Sequence, residues 1–166
     1  MKKWVIGVML LLGAILCGCS KVETFEVISD NVVYDQTIMP SNIQLSIPED
    51  GAISVMSSSG SQSYEGEHYQ IIVQTFPSGN LDQTLRLVTG YGKNQLQVVE
   101  VTEKNLDKYL CAWSAVSEEG DLVGRCAVLD DGRYHYCLSV LADARMSGEI
   151  RDDIDAIFAG YSLEGY

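Results

Sequence analysis

Two histidines, three cysteines in the body of the chain and a surplus of carboxylates are the residues whose types could do chemistry. His68 and His135 stand far apart, with no His-x-x-His or Glu-x-x-His spacing to bring two ligands onto one helix face. Cys111, Cys126 and Cys137 are 15 and 11 residues apart, unlike the paired Cys-x-x-Cys sets of structural zinc, so no metal site is expected. Gly90-Tyr91-Gly92-Lys93 lacks the leading glycine of a phosphate loop, and Asn94 stands where Ser or Thr would hold magnesium. No Gly-x-Ser-x-Gly elbow presents an acyl-enzyme nucleophile. Asp130-Asp131-Gly132 and Glu49-Asp50-Gly51 lack the alternating oxygens and distal Glu of a calcium loop and read as turns. Asp152, Asp153 and Asp155 read as a solvated helix face. No catalytic or cofactor-binding residue emerges. An enzymatic role would need a site assembled only by folding, for instance around His135 and an acidic neighbour.

The residues around His135 carry a second expectation. His135 lies between Tyr134 and Tyr136 in a strand, so it points away from the tyrosines, as a paired histidine at the surface or sheet edge. If Asp131-Gly132 is a two-residue hairpin turn, Asp130 and Arg133 form the first pair. Counting back along both strands then sets Cys126 opposite Cys137, within disulfide reach, with Cys111 left as an odd thiol. A Cys126–Cys137 disulfide and a pair of buried thiols both remain open.

The N-terminus decides where these residues work. Lys2-Lys3 precede an apolar stretch from Trp4 to Cys17 and then Gly18-Cys19-Ser20, the layout of an export signal. The stretch is shorter than the roughly 20 residues that span a bilayer as a helix. Leu16-Cys17-Gly18-Cys19 resembles the lipobox of bacterial lipoproteins, with Leu at −3, Gly at −1 and Cys at +1. That resemblance implies cleavage before Cys19, lipidation of its thiol with palmitate-type acyl chains and anchoring on the extracytoplasmic face of a bacterial membrane. Cys17 fits worse, because it would put Leu16 at the cleavage position; an ordinary cleaved signal is the competing reading. Without Lys2 and Lys3 the chain keeps nine basic residues against 23 acidic ones, a charge of −14. So acidic a domain gains nothing from anionic lipid heads, and the lipid itself must hold it.

The elements that position the remaining residues follow from pattern. The 166 residues are 46% hydrophobic and carry a net charge of −12, which suits one folded domain and excludes nucleic acid as a partner. Ser20 to about Asp35 holds either short strands (Val22–Ile28, Val32–Tyr34) or an ordered tether. Ile43, Leu45 and Ile47 alternate with polar residues before Pro48 as a half-buried strand, and Ile53–Met56 is a second. Ser57 to Ser63 reads as a low-complexity surface loop, and Tyr69–Phe76 as a strong strand. Asn80 and Gln83 offer a capping box for a helix with Leu81, Leu85 and Val88 on one stripe, ended at Gly90 or Gly92. Leu96–Val101, Tyr109–Val116, Leu122–Leu129 and Tyr134–Leu141 read as consecutive strands. Ile150, Ile154, Ile157, Phe158 and Tyr161 mark a closing helix that exits at Gly160. Meandering strands with few crossovers give an α+β class with a mostly antiparallel sheet flanked by helices.

This order resembles the PsbP-like superfamily, which includes DcrB-like bacterial lipoproteins. The resemblance rests on Ile43-Gln-Leu-Ser-Ile-Pro48, the helix from Asn80 to Gly92, the Tyr109–Leu141 meander and the ending Ile157-Phe-Ala-Gly-Tyr-Ser-Leu163. It implies an α/β/α sandwich over residues 41–166, behind a signal peptide at 1–18 and a lipid-anchored tether at 19–40. It also implies a non-catalytic binding or accessory role in the cell envelope, toward an envelope protein and without a cofactor. A small-ligand-binding domain or a passive structural surface protein would fit the same residues.

Overall fold

The computed structural model of the chain describes residues 21–25, 39–48, 53–58, 60–103, 106–117 and 120–166. The leader, Cys19, the Val32–Tyr34 segment and the Glu49-Asp50-Gly51 turn lie outside the described residues. The chain begins with strands β1 (Lys21–Phe25), β2 (Ile43–Ile47), β3 (Ile53–Ser58), β4 (Ser61–Glu65) and β5 (Tyr69–Pro77). Helix α1 (Leu81–Thr89) and a 3-10 turn at Lys93–Gln95 follow. Then come β6 (Val99–Glu103), β7 (Leu106–Ser117), β8 (Gly120–Asp130), β9 (Tyr134–Asp143), α2 (Arg151–Ala159) and β10 (Ser162–Leu163).

Seven strands form one antiparallel sheet in the order β3-β4-β5-β9-β8-β7-β6, and β1-β2-β10 form a smaller antiparallel sheet. Period-2 alternation sends the two faces of the large sheet to different cores. Ile71, Val73, Leu138, Val140, Ala127 and Leu129 pack on one face against Ile43, Leu45 and Ile47 of β2 and the stripe Ile154, Ile157, Phe158 of α2. On the other face, Cys111, Cys126, Val128 and Cys137 pack under Leu85 of α1, with Leu81, Val88, Trp113 and Tyr109 around them. One helix on each face gives the sandwich its layers. Complete burial of an aliphatic side chain such as Leu85 or Ile157 contributes about 1.5–3 kcal/mol over leaving it in water.

Local chemistry explains the ends of α1. The Asn80 side chain accepts the Asp82 amide at 2.9 Å, while the Gln83 amide bonds to the Asn80 carbonyl instead. Gly90 closes the helix at φ +81°, donating its amide to the Arg86 carbonyl. Helix α2 ends differently: Gly160 keeps a right-handed φ of −82°, and glycine is required there because a Cβ would overlap the Ser46 side chain of β2.

Three sequence expectations need correction. Ser57 to Ser63 is not a surface loop; Ser58 pairs with Ser61 across a tight turn at Gly60 (φ +73°), and the flanking serines continue into β3 and β4. Their polarity suits the outermost hairpin of the sheet, which composition alone reads as a linker. The strand expected over Leu96–Val101 begins only at Val99, after the 3-10 turn. The third correction is register. Asp130 pairs with His135, so the loop holds four residues, 131–134, rather than two. The Asp131 carboxylate accepts the Arg133 and Tyr134 amides, both at 2.8 Å, and Asp130 Oδ1 accepts the Gly132 amide, also at 2.8 Å. These Asx contacts widen the turn. Cys126 therefore faces Ser139, and Cys137 faces Val128. Cys126 and Cys137 become diagonal neighbours, with Cα atoms roughly 7–8 Å apart in such a relation, too far for the expected disulfide.

Candidate functional site

Two places bring chemistry-bearing side chains together. The first surrounds His135, which is completely buried (0% exposed) beneath α1 rather than at a surface or edge. Its Nδ1 lies 2.7 Å from Thr84 Oγ1, and its Nε2 lies 3.2 Å from Asp130 Oδ2 and 3.4 Å from Ser78 Oγ. Ser78 also donates to Asp130 Oδ1 at 3.1 Å. A Ser-His-Asp relay needs its acid and its nucleophile on opposite ring nitrogens. Here Asp130 and Ser78 share Nε2. Thr84 does hold the opposite nitrogen, but at 5% exposure it faces the sheet from inside α1, where no substrate carbonyl can approach. The cluster joins α1, the loop after β5 and the β8–β9 turn. It is a buried polar tie.

On the other face of the same turn, Tyr136 donates to Asp131 Oδ2 at 2.9 Å and accepts the Ser41 amide at 2.8 Å. Burial, with the neighbouring Asp131 carboxylate, pushes its phenol far above the usual tyrosine range. His68 lies beside the opposite end of β9, where its carbonyl accepts the Asp143 amide, and is partly exposed and 3.8 Å from Glu67. The three cysteines share the α1 face, where Cys111 lies directly opposite Cys126. Cys111, Cys126 and Cys137 are unbridged, and among the described residues no His, Cys, Asp and Glu group could hold a metal ion. Asp152, Asp153 and Asp155 are exposed on α2, as expected.

The second place is the part of the other face that α2 leaves uncovered. A cavity of about 310 Å³ opens there, lined by Gln97, Val99, Leu110, Ala112, Arg125 and Phe158. Cys111 and Cys126, which pack with Leu85 of α1, also border it. Arg125 forms one wall, stacked 4.7 Å from the Phe158 ring centroid and paired with Asp155. The other wall is β6, the edge strand of the large sheet. Val99 is 58% and Val101 43% exposed along it. The groove thus offers an apolar floor, one guanidinium, and a row of backbone N–H and C=O groups that β7 does not use. Sequence reading missed this site. Its only trace was the alternating Val99-Glu100-Val101, which looks the same in a covered strand.

Among the described residues no helix is long and apolar enough to cross a membrane. No protein-family model and no curated protein matches the sequence. Solved structures do. A cyanobacterial PsbP (CyanoP) from Synechocystis is similar over 92% of this chain and 98% of its own, with a TM-score of 0.57 at 12% identity. LpqN of Mycobacterium tuberculosis, described as involved in cell envelope biogenesis, is similar over 86% of this chain and 91% of its own (TM-score 0.51, 12% identity). A Bacteroides thetaiotaomicron protein has a TM-score of 0.51 at 12% identity; the match covers 75% of this chain but 46% of that one, so the chain spans about half its length. At such identity the likeness is one of fold, and that fold is the PsbP-like α+β sandwich.

Proposed function

We propose that this chain is a lipid-anchored, extracytoplasmic accessory protein of a bacterial cell envelope that docks an extended segment of another envelope protein along β6. The observation that carries the docking role is the β6 edge: Val99 and Val101 are exposed beside an apolar groove closed on its far side by Arg125 and Phe158. Strand addition suits it, because main-chain hydrogen bonds supply affinity and alternate side chains of the guest can enter the groove. An extended guest also fits a site with an open strand edge better than a compact ligand does. A non-catalytic role is supported by the burial of His135 and Thr84 and by Asp130 and Ser78 sharing one ring nitrogen of His135.

Leu16-Cys17-Gly18-Cys19 supports the anchor, with Cys19 as the lipidated first residue of the mature chain. A PsbP-like fold shared with a protein of envelope biogenesis is consistent with that address. Membrane fractionation with mass measurement tests it. Wild-type chain should need detergent for release and should have the mass of a chain starting at Cys19 plus acyl groups. Cys19→Ala should accumulate as unprocessed precursor. A Cys19→Ala chain that is cut and held at the membrane normally would overturn the reading.

A further inference from the structure

The β7–β8 register sets Cys111 and Cys126 directly opposite each other on the face beneath α1. Antiparallel partners have Cα atoms about 4.5 or 5.5 Å apart, both inside the span of a disulfide. Cys137 has no such partner, because it faces Val128 on one side and Gln74 on the other. We propose that Cys111 and Cys126 are a redox pair, closed by exchange with an external disulfide, in which Cys111 attacks first and Cys126 resolves.

Access and acidity assign the order. Cys111 is 8% exposed, whereas Cys126 is 1% exposed. The neighbouring Cys126 thiol holds the Cys111 thiol below its ordinary value, while Cys111 and burial push Cys126 well above. The thiolate is the nucleophile in exchange, so Cys111 is the sulfur that enters. It attacks one sulfur of a disulfide R–S–S–R′, forms a Cys111–S–S–R bond and expels R′S⁻, which takes up a proton. Cys126 then releases its proton and attacks Cys111 Sγ, expelling RS⁻. Two protein thiols are oxidised to one disulfide, and the external disulfide is reduced by two electrons to two thiols. Cys137, fully buried and raised in pKa by burial, stays a thiol throughout.

Trypsin separates the three cysteines, because Lys108, Arg125, Arg133 and Arg145 bound peptides 109–125, 126–133 and 134–145. The full chain, extracted from membranes in detergent, is incubated with oxidised glutathione, unfolded, alkylated and digested without reductant. The expected product joins 109–125 to 126–133 and leaves 134–145 alkylated. Cys126→Ser should instead accumulate glutathione on Cys111, whereas Cys111→Ser should leave Cys126 unmodified over the same time. A bridge from 126–133 to 134–145, or three alkylated peptides in the oxidised wild type, would overturn the pair. Glutathione on Cys126 in Cys111→Ser as fast as on Cys111 in Cys126→Ser would overturn the assigned order.

Discussion

The guanidinium of Arg125 lies 4.7 Å from the centroid of the Phe158 ring while its Nη1 pairs with Asp155 on the same helix. One β8 side chain thus holds two successive turns of α2 against the sheet and forms the rim of the open groove. Exposed cation–π and ion-pair contacts each contribute on the order of 0.5–1 kcal/mol. Arg125→Ala should therefore cost about 1 kcal/mol in urea unfolding, and Asp155→Ala less. Equal losses for the two variants would show that the stacking on Phe158 contributes nothing.

Phe158 itself is buried with Ile154 and Ile157 in the core between α2 and the sheet. Phe158→Ala should lower stability by roughly 3–5 kcal/mol, a large part of what a single domain has. A mature domain carrying this variant that melts at the parent temperature would contradict the packing of α2.

Trp113 faces Gly124 across β7 and β8, with its indole lying over the glycine so that a Cβ would overlap the ring. Gly124→Ala should force the indole aside and cost about 1–3 kcal/mol. Blue-shifted or unchanged tryptophan emission together with unchanged stability would count against this arrangement; a red shift is expected as the ring is displaced.

Asp143 accepts the Arg145 amide at 2.9 Å and its guanidinium at 3.1 and 2.6 Å, which holds its carboxyl down at about 2 from an ordinary 3.8. A depressed folded-state pKa stabilises the fold fully above the unfolded value and is lost as pH falls through the folded one. The stability difference between wild type and Asp143→Asn should therefore shrink as pH falls from 3.8 toward 2. The effect is small because the pair is open to solvent. A difference that stays constant across that window would show that Arg145 does not hold this carboxylate.

How much of this was legible in the residues depended on whether the signal was local. Ile43-Gln-Leu-Ser-Ile47, the α1 stripe and the α2 stripe declared themselves, because burial of one face forces a period on the sequence. The β3–β4 hairpin did not, since an outer pair of serine-rich strands carries little apolar alternation. The β8–β9 register slipped by two residues because two aspartate side chains, not the Asp-Gly dipeptide, set the loop. His135 could be placed on the face opposite Tyr134 and Tyr136, but its complete burial depends on α1, which arrives from 51 residues away through Thr84. The groove beside β6 depends on what α2 fails to cover. No stretch of sequence encodes that by itself.

Covalent capture from the groove in intact cells tests the docking role most directly. A photoreactive amino acid is placed at Val99 or Val101 in the full chain, with Leu87 as a control, since Leu87 is exposed on α1 at the other layer. Illumination should join the two β6 positions to one and the same envelope protein and leave the Leu87 control free of that adduct. No adduct from either β6 position, or the same adduct from Leu87, would contradict β6 as the docking edge.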